Sequence, residues 1–183
     1  MPTASMKGIA VSSEFEADIV IDRPHDAVWD FLADHRHVPT WRDDVESVEL
    51  VFGEPLSVGS RYQYAMRRRL RGLAGGSRFP LQLMQVSPRS CFTSQTLGGP
   101  ADVEEETNLN HVSSGQTRVS IRTTVRLSGW RAVLAFLFPP LHSSRQRAIV
   151  RHLAALKRIV EASVPATTGS VPTRPATTRP QGA

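Results

Sequence analysis

The clearest pattern in the sequence is an alternation of apolar and polar residues over positions 117–127. Successive side chains of a β-strand point to opposite faces, so this alternation predicts a strand with one dry and one wet face. The dry face carries Val119, Ile121, Thr123, Val125 and Leu127, and the wet face carries Arg118, Ser120, Arg122 and Arg126. A dry sheet face must be covered by another element.

A second pattern, with helical spacing, predicts a long helix over about residues 142–162. Apolar residues recur there every three or four positions, which is typical of an amphipathic helix. This apolar stripe consists of Ile149, Leu153, Leu156 and Val160, with Ile159 beside it and arginines opposite. We expect the helix to cover the dry face of the strand and to enclose a pocket for an apolar ligand.

The remaining elements follow from alternation and from turn residues. A first strand is predicted over residues 14–21, and Pro24 begins a short helix that reaches about Asp34. Strands are also predicted at 45–52, 60–70, 79–86, 90–96 and 101–111, with one or two helical turns at 130–138. The breaks between strands are short, which favours antiparallel hairpins.

The two ends of the chain differ from the middle in composition. We expect residues 1–13 to be flexible and residues 164–183, rich in Pro and Thr, to form a disordered tail. Residues 14–163 then form one domain, for which an overall apolar fraction of 40% is ordinary. Cys91 is the single cysteine, and the first residues lack a continuous apolar stretch, so we expect a cytoplasmic protein.

Several segments resemble the START/Bet v 1-like (SRPBCC) superfamily, in particular its bacterial polyketide cyclase/dehydrase-like branch. They are residues 21–34 with 38–41, 58–62, 115–119 and 156–161, and the element order also agrees. The resemblance implies an α+β helix-grip fold: a strongly curved antiparallel sheet of about seven strands wraps a long C-terminal helix, and two short helices follow the first strand. It also implies a cavity that holds lipids, sterols, aromatic polyketides or hormones.

The inward phase of the strands and helix predicts the ligand-binding residues, except for Trp41, which lies near the short-helix loop and could be part of a gate or an ordinary core residue. They are Trp41, Tyr62, Tyr64, Met66, Thr107, Leu109, Ile121, Thr123, Val125, Ile149, Leu153 and Leu156. Because the side-chain period of a strand is two residues, a register slip of one position would reverse the assignment on any strand.

Three residues are candidates for acid–base chemistry. In the inward phase Glu105 lies among apolar neighbours, where desolvation would raise its pKa; in the other phase it is solvated with Glu104 and Glu106. His111 and His142 could approach the mouth of the cavity, or could be ordinary surface histidines.

The other polar motifs carry less information. His35 and His37 are two residues apart and share no helical face, so we expect no metal site, and no cofactor motif is present. The 22 lysines and arginines exceed the 17 acidic residues and give a net charge of +5, and only Lys7 and Lys157 are lysines. The densest cluster, Arg67, Arg68, Arg69 and Arg71, could contact anionic headgroups or form a solvated hairpin end, and without interleaved aromatics nucleic acid is not expected.

The sequence thus supports three hypotheses of function. The first is a soluble protein that binds a hydrophobic or aromatic small molecule between sheet and helix. The second is a polyketide cyclase or dehydratase that uses Glu105 with His111 or His142. The third is an arginine-rich module that docks on an anionic membrane or an acidic partner.

Overall fold

The structure, a computed structural model, describes residues 10–67, 78–98, 101–128 and 140–163. Its helices are α1 (His25–Ala33), α2 (Val38–Trp41) and α3 (Pro140–Ser163), with a 3₁₀ turn (His35–His37) between the first two. Its strands are β1 (Ala10–Ile21), β2 (Val45–Phe52), β3 (Arg61–Met66), β4 (Arg78–Ser87), β5 (Cys91–Thr96), β6 (Asp102–Ser113) and β7 (Gln116–Ser128).

The seven strands form one antiparallel sheet in the order β1-β7-β6-β5-β4-β3-β2. Strands β2 to β7 each pair with their neighbours in sequence, whereas β1 joins the sheet beyond β7. In that last pair Ile21 lies opposite Thr117 and Ala10 lies opposite Ser128. Strands β1 and β2 are therefore the two edges of the sheet.

Helix α3 packs on the dry face of the sheet and closes the core. Leu153, Leu156 and Val160 are each at most 1% exposed and belong to the same apolar cluster as Val119 and Ile121 of β7. The opposite face of the sheet is wet: Arg122 contacts Glu14, Glu16 and Glu106 on the two strands beside it. The α+β helix-grip architecture expected from the sequence is confirmed.

Most predicted bounds agree with the structure to within a few residues. The first strand begins at Ala10 and not at residue 14, so residues 10–13 belong to the sheet. Residues 10–13 pair through their backbone with β7, which requires no apolar side chains. Helix α3 begins at Pro140 because proline is tolerated in the first turn. The turns predicted at 130–138 and the tail after residue 163 lie outside the described residues.

The connection between β2 and β3 is held by close contacts. Gly53 has a φ of +83°, and a Cβ there would lie 2.8 Å from the Ser60 hydroxyl oxygen. The backbone N–H of Leu56 donates to the Tyr62 hydroxyl at 3.0 Å. This turn therefore fixes the position of Tyr62 in the core. Within the described ranges, no helix is long and apolar enough to cross a membrane.

Candidate functional site

Two adjoining cavities lie on the dry face of the sheet: the inner one between the sheet and the segment from α1 to Arg42, and the outer one between the sheet, the loop after α2 and helix α3. The inner cavity, of about 20 Å³, is lined among others by Leu32, His35, Trp41, Tyr64, Phe92 and Thr107. The outer cavity, of about 110 Å³, is lined among others by Phe15, Val103, Thr123, Arg145, Ile149 and His152. Arg42 and Glu105 line both. The inner cavity has room for about one water molecule, whereas the outer one has room for a small organic group.

An ion pair separates the two cavities. Arg42 directly follows α2, and its Nη1 lies 3.2 and 3.1 Å from the two carboxylate oxygens of Glu105 on β6. The same guanidinium contacts the carboxylate of Asp44 at 3.3 and 3.4 Å. Burial opposes the charge on Arg42, but Glu105 and Asp44 outweigh burial and raise the pKa of the guanidinium above its usual value. Arg42 is therefore a permanent cation bound between two carboxylates.

A buried histidine lies on the wall of the inner cavity. Nδ1 of His35 is 3.0 Å from the Tyr64 hydroxyl, and the imidazole stacks on Tyr62 with ring centroids 4.3 Å apart. Burial lowers the pKa of His35 to about 4, so the ring is neutral at pH 7. Its second nitrogen, Nε2, is buried and has no hydrogen-bond partner among the described residues. Burial also raises the pKa of Tyr64, which therefore remains a phenol.

A cluster of one histidine and two carboxylates lies where α3 passes the loop after α2. Nε2 of His152 is 2.8 Å from Asp43 and 3.6 Å from Asp44. The hydrogen bond with His152 lowers the pKa of Asp43, and Arg151 lowers it further. The possible ligand atoms of Asp43, Asp44 and His152 lie within 4.8 Å of one another, a spacing that a metal ion could use. Arg42 and Arg151 already contact the two carboxylates, so a cation would have to compete with both, and we infer no metal site.

The predicted ligand-binding residues divide into two groups. Those that line one of the cavities are Trp41, Tyr64, Thr107, Thr123 and Ile149. The others are buried or partly buried and line neither of the two cavities: Tyr62, Met66, Leu109, Ile121, Val125, Leu153 and Leu156. Most of the second group pack against one another in the core.

Of the acid–base candidates, Glu105 and His111 do not converge. Glu105 lies between the two cavities in the inward phase, paired with Arg42. The structure places His111 elsewhere: it is exposed near the end of β6 and stacks on the buried ring of His25 at 4.0 Å, because β6 there runs past the start of α1. His142 is in the first turn of α3, and its side chain lies outside the described part of the chain.

The arginine cluster is described only in part. Arg67 is exposed, and its Nε donates to the backbone carbonyl of Val45 at 3.0 Å. Arg68, Arg69 and Arg71 lie outside the described residues. Arg67 thus stabilises the pairing of β2 with β3.

Sequence reasoning missed Arg42, His152 and Arg145 as residues of the site. The two residues on α3 had a signal, because Arg145, Ile149, His152 and Leu156 are spaced by three or four positions and share one face. Arg42 had none: it lies in a loop, and its partner Glu105 is 63 positions away in the chain.

Comparison with solved structures identifies the class of fold. The Zhui aromatase/cyclase from Streptomyces sp. R1128 superposes with a TM-score of 0.67 at 16% identity, over 87% of this chain and 99% of that one. Norcoclaurine synthase from Thalictrum flavum gives a TM-score of 0.62 at 12% identity, over 90% and 98%. A START superfamily protein from Mycobacterium smegmatis gives 0.65 at 10% identity, over 81% and 97%. The protein therefore has the helix-grip fold of the START/Bet v 1-like superfamily.

The family follows from the sequence itself. Residues 12–161 match the family described as polyketide cyclase / dehydrase and lipid transport, and the chain belongs to this family. No curated protein matches the chain in sequence.

Proposed function

We propose that the protein binds a hydrophobic or aromatic small molecule, lipid-like or polyketide-like, between the sheet and helix α3. The observation that carries this proposal is the outer cavity, which opens between Phe15 of β1, Val103 of β6 and Ile149 of α3. Apolar walls with a few convergent polar groups are typical of small-molecule sites. Membership of a family of cyclases and lipid-transport proteins supports it.

The size of the cavity limits the ligand. Its volume of about 110 Å³ is below the several hundred cubic ångströms of a typical drug-sized pocket. We therefore expect the outer cavity to accept a small aromatic molecule or one end of a longer molecule.

Titration with an environment-sensitive apolar dye, followed by competition with lipid or polyketide extracts, tests this proposal. Ala148 lines the outer cavity, so Ala148→Trp fills it and should abolish dye binding. Ala154 is exposed on the same helix, and Ala154→Trp is the matched control. Equal dye binding by both variants and the wild type would place the dye elsewhere and contradict the proposal. Native mass spectrometry of the protein from its own host would then give the mass of the retained ligand.

A second candidate function, a cyclase or dehydratase, is favoured by one specific arrangement. Glu105 and His35 line the same inner cavity, so a carboxylate and a neutral imidazole lie beside one small volume, and Nε2 of His35 has no hydrogen-bond partner among the described residues. Groups of these two kinds promote enolisation and dehydration when they reach the same substrate. Glu105 would first have to exchange its contact with Arg42 for a contact with substrate.

Turnover of a model poly-β-ketone thioester tests the catalytic candidate. Glu105→Gln should abolish cyclisation while dye binding remains, because the amide keeps the shape and loses the base. His111→Gln, at an exposed site that lines neither cavity, should not change the rate. Undiminished cyclisation by Glu105→Gln would eliminate Glu105 as the acid–base group.

A further inference from the structure

Arg145 is an exposed arginine on the wall of the outer cavity. It lies on α3 one turn before Ile149 and on the same face, and it lines the cavity together with Ile149. Among the residues that the structure describes, no carboxylate lies within 4.0 Å of its guanidinium. Arg145 is exposed as a whole residue, and partial burial of its guanidinium lowers its pKa, with Asp44 acting against this shift and Arg42 adding to it. An arginine nevertheless keeps its charge in water near neutral pH.

The neighbouring carboxylates are already paired. Glu105 is bound to Arg42, and Asp44 is shared between Arg42 and His152. Asp43 contacts Arg151 and His152. Arg145 is therefore available to an external anion. Because Asp44 would repel that anion, we expect the anion to contact Arg145 on the side away from Asp44.

Thr123 adds a second, independent feature to the same cavity. It is 7% exposed, it lies on the inward face of β7, and its hydroxyl Oγ1 has no hydrogen-bond partner among the described residues. A buried hydroxyl without a partner is costly, and a ligand oxygen in the cavity would supply one. A guanidinium and an unsatisfied hydroxyl therefore line one volume whose other walls include Phe15 and Ile149.

We propose that the outer cavity binds apolar monocarboxylic acids, with the carboxylate held by Arg145 and the Thr123 hydroxyl and the apolar body against Phe15 and Ile149. This inference rests on the proposed function and adds the chemical class of the ligand. A guanidinium binds a carboxylate through two parallel N–H donors, which gives both affinity and orientation. The acid can have an aromatic or an aliphatic body, and the probes distinguish the two.

Calorimetric titration with two pairs of probes tests the inference. The pairs are benzoate with benzamide and octanoate with octanamide, which differ only in the charged group. For the wild type we expect at least one acid to bind about tenfold more tightly than its amide, the ratio typical of one charge-assisted contact. The acid that binds more tightly identifies the body of the ligand as aromatic or aliphatic.

Three variants locate the contact. Arg145→Gln should reduce the affinity for the acid to that for the amide and leave the affinity for the amide unchanged. Thr123→Val should weaken binding of the acid, and Thr123→Ser should restore it, because only the hydroxyl is needed. Arg158→Gln, on the exposed side of the same helix, is the control and should bind both probes like the wild type.

The outcomes separate this inference from the proposed function. If acid and amide bind equally to the wild type, or if Arg145→Gln weakens both by the same factor, the carboxylate site is wrong while the apolar pocket stands. If none of the four probes binds and the apolar dye does not bind either, the proposed function fails and this inference fails with it.

Discussion

The imidazole of His35 and the hydroxyl of Tyr64 lie 3.0 Å apart in the core, and the ring of Tyr62 stacks on the same imidazole. The pair joins the 3₁₀ turn after α1 to strand β3. Because His35 is neutral in the native state, this contact also links the stability of the fold to pH.

We predict that the free energy of unfolding decreases as the pH is lowered from about 6.5 to about 4. The pKa of His35 is about 4 in the native state against 6.5 for a free histidine, so the unfolded chain takes up a proton first. The stabilisation is complete above pH 6.5 and is lost by pH 4, and the difference corresponds to roughly 3 kcal/mol. Urea unfolding at a series of pH values measures it.

His35→Phe keeps a ring on Tyr62 and removes the titrating group, so its stability should depend less steeply on pH between 6.5 and 4. Parallel pH profiles for His35→Phe and the wild type would show that other groups cause the dependence.

Removal of the guanidinium of Arg42 should destabilise the protein. Arg42→Met leaves Glu105 and Asp44, which are 23% and 19% exposed, without their principal partner. Breaking one side of a largely buried ion pair costs about 3 kcal/mol. Thermal and urea unfolding should show this loss, and the double variant Arg42→Met/Glu105→Gln should recover part of it. A double variant no more stable than Arg42→Met would mean that the loss comes from packing and not from charge.

The centre of α3 should not tolerate a charge. Leu153 is 1% exposed, and Leu153→Asp would bury a carboxylate or force it to take up a proton, at a cost of about 4 kcal/mol. Ala154 is exposed one position later, and Ala154→Asp should cost less than about 1 kcal/mol, mainly through helix propensity. Urea midpoints of the two variants compare them directly. Equal midpoints would be incompatible with α3 as the cover of the sheet.

The turn before β3 provides a test of backbone geometry. Gly53→Ala places a Cβ 2.8 Å from the Ser60 hydroxyl oxygen at a φ of +83°, so it should cost more than about 1 kcal/mol. At Gly115 no atom lies within 4 Å of an added Cβ and φ is not positive, so Gly115→Ala should be neutral or slightly stabilising. Differential scanning calorimetry resolves this difference. A Gly53→Ala variant as stable as the wild type would contradict the prediction and would mean that the turn adopts another backbone conformation.

The fold could be predicted from the sequence because its signals are periodic. The alternation in β7 and the stripe from Ile149 to Val160 each predict which face is buried. The burial of Val119 and Leu153 agrees with these predictions. The family resemblance supplied the order of the elements. The start of β1 was missed because residues 10–13 pair through the backbone and carry no distinct alternation.

The site was harder to predict because its contacts are not periodic. Strand phase left Glu105 open between an inward and a solvated position, and no pattern connects it to Arg42, which is positioned by the end of α2. The helical periodicity puts His152 and Arg145 on the same face as Ile149 and Leu156, but a stripe defined by apolar residues does not register the polar side chains between them. His111 follows the same strand phase as Leu109, yet it lies beyond the covered part of the sheet and contacts His25 instead.

The position of β1 beside β7 determines when the protein can finish folding. Strands β2 to β7 can pair in the order in which a ribosome releases them, since each pairs with a neighbour in sequence. The first strand must wait for the last, because Ile21 pairs with Thr117 and Ala10 with Ser128. Closing so long a loop carries an entropic cost before any contact compensates for it, which slows folding. Until then β7 is an unprotected edge, and the nascent chain is most prone to mispairing just before its last strand is joined by its first.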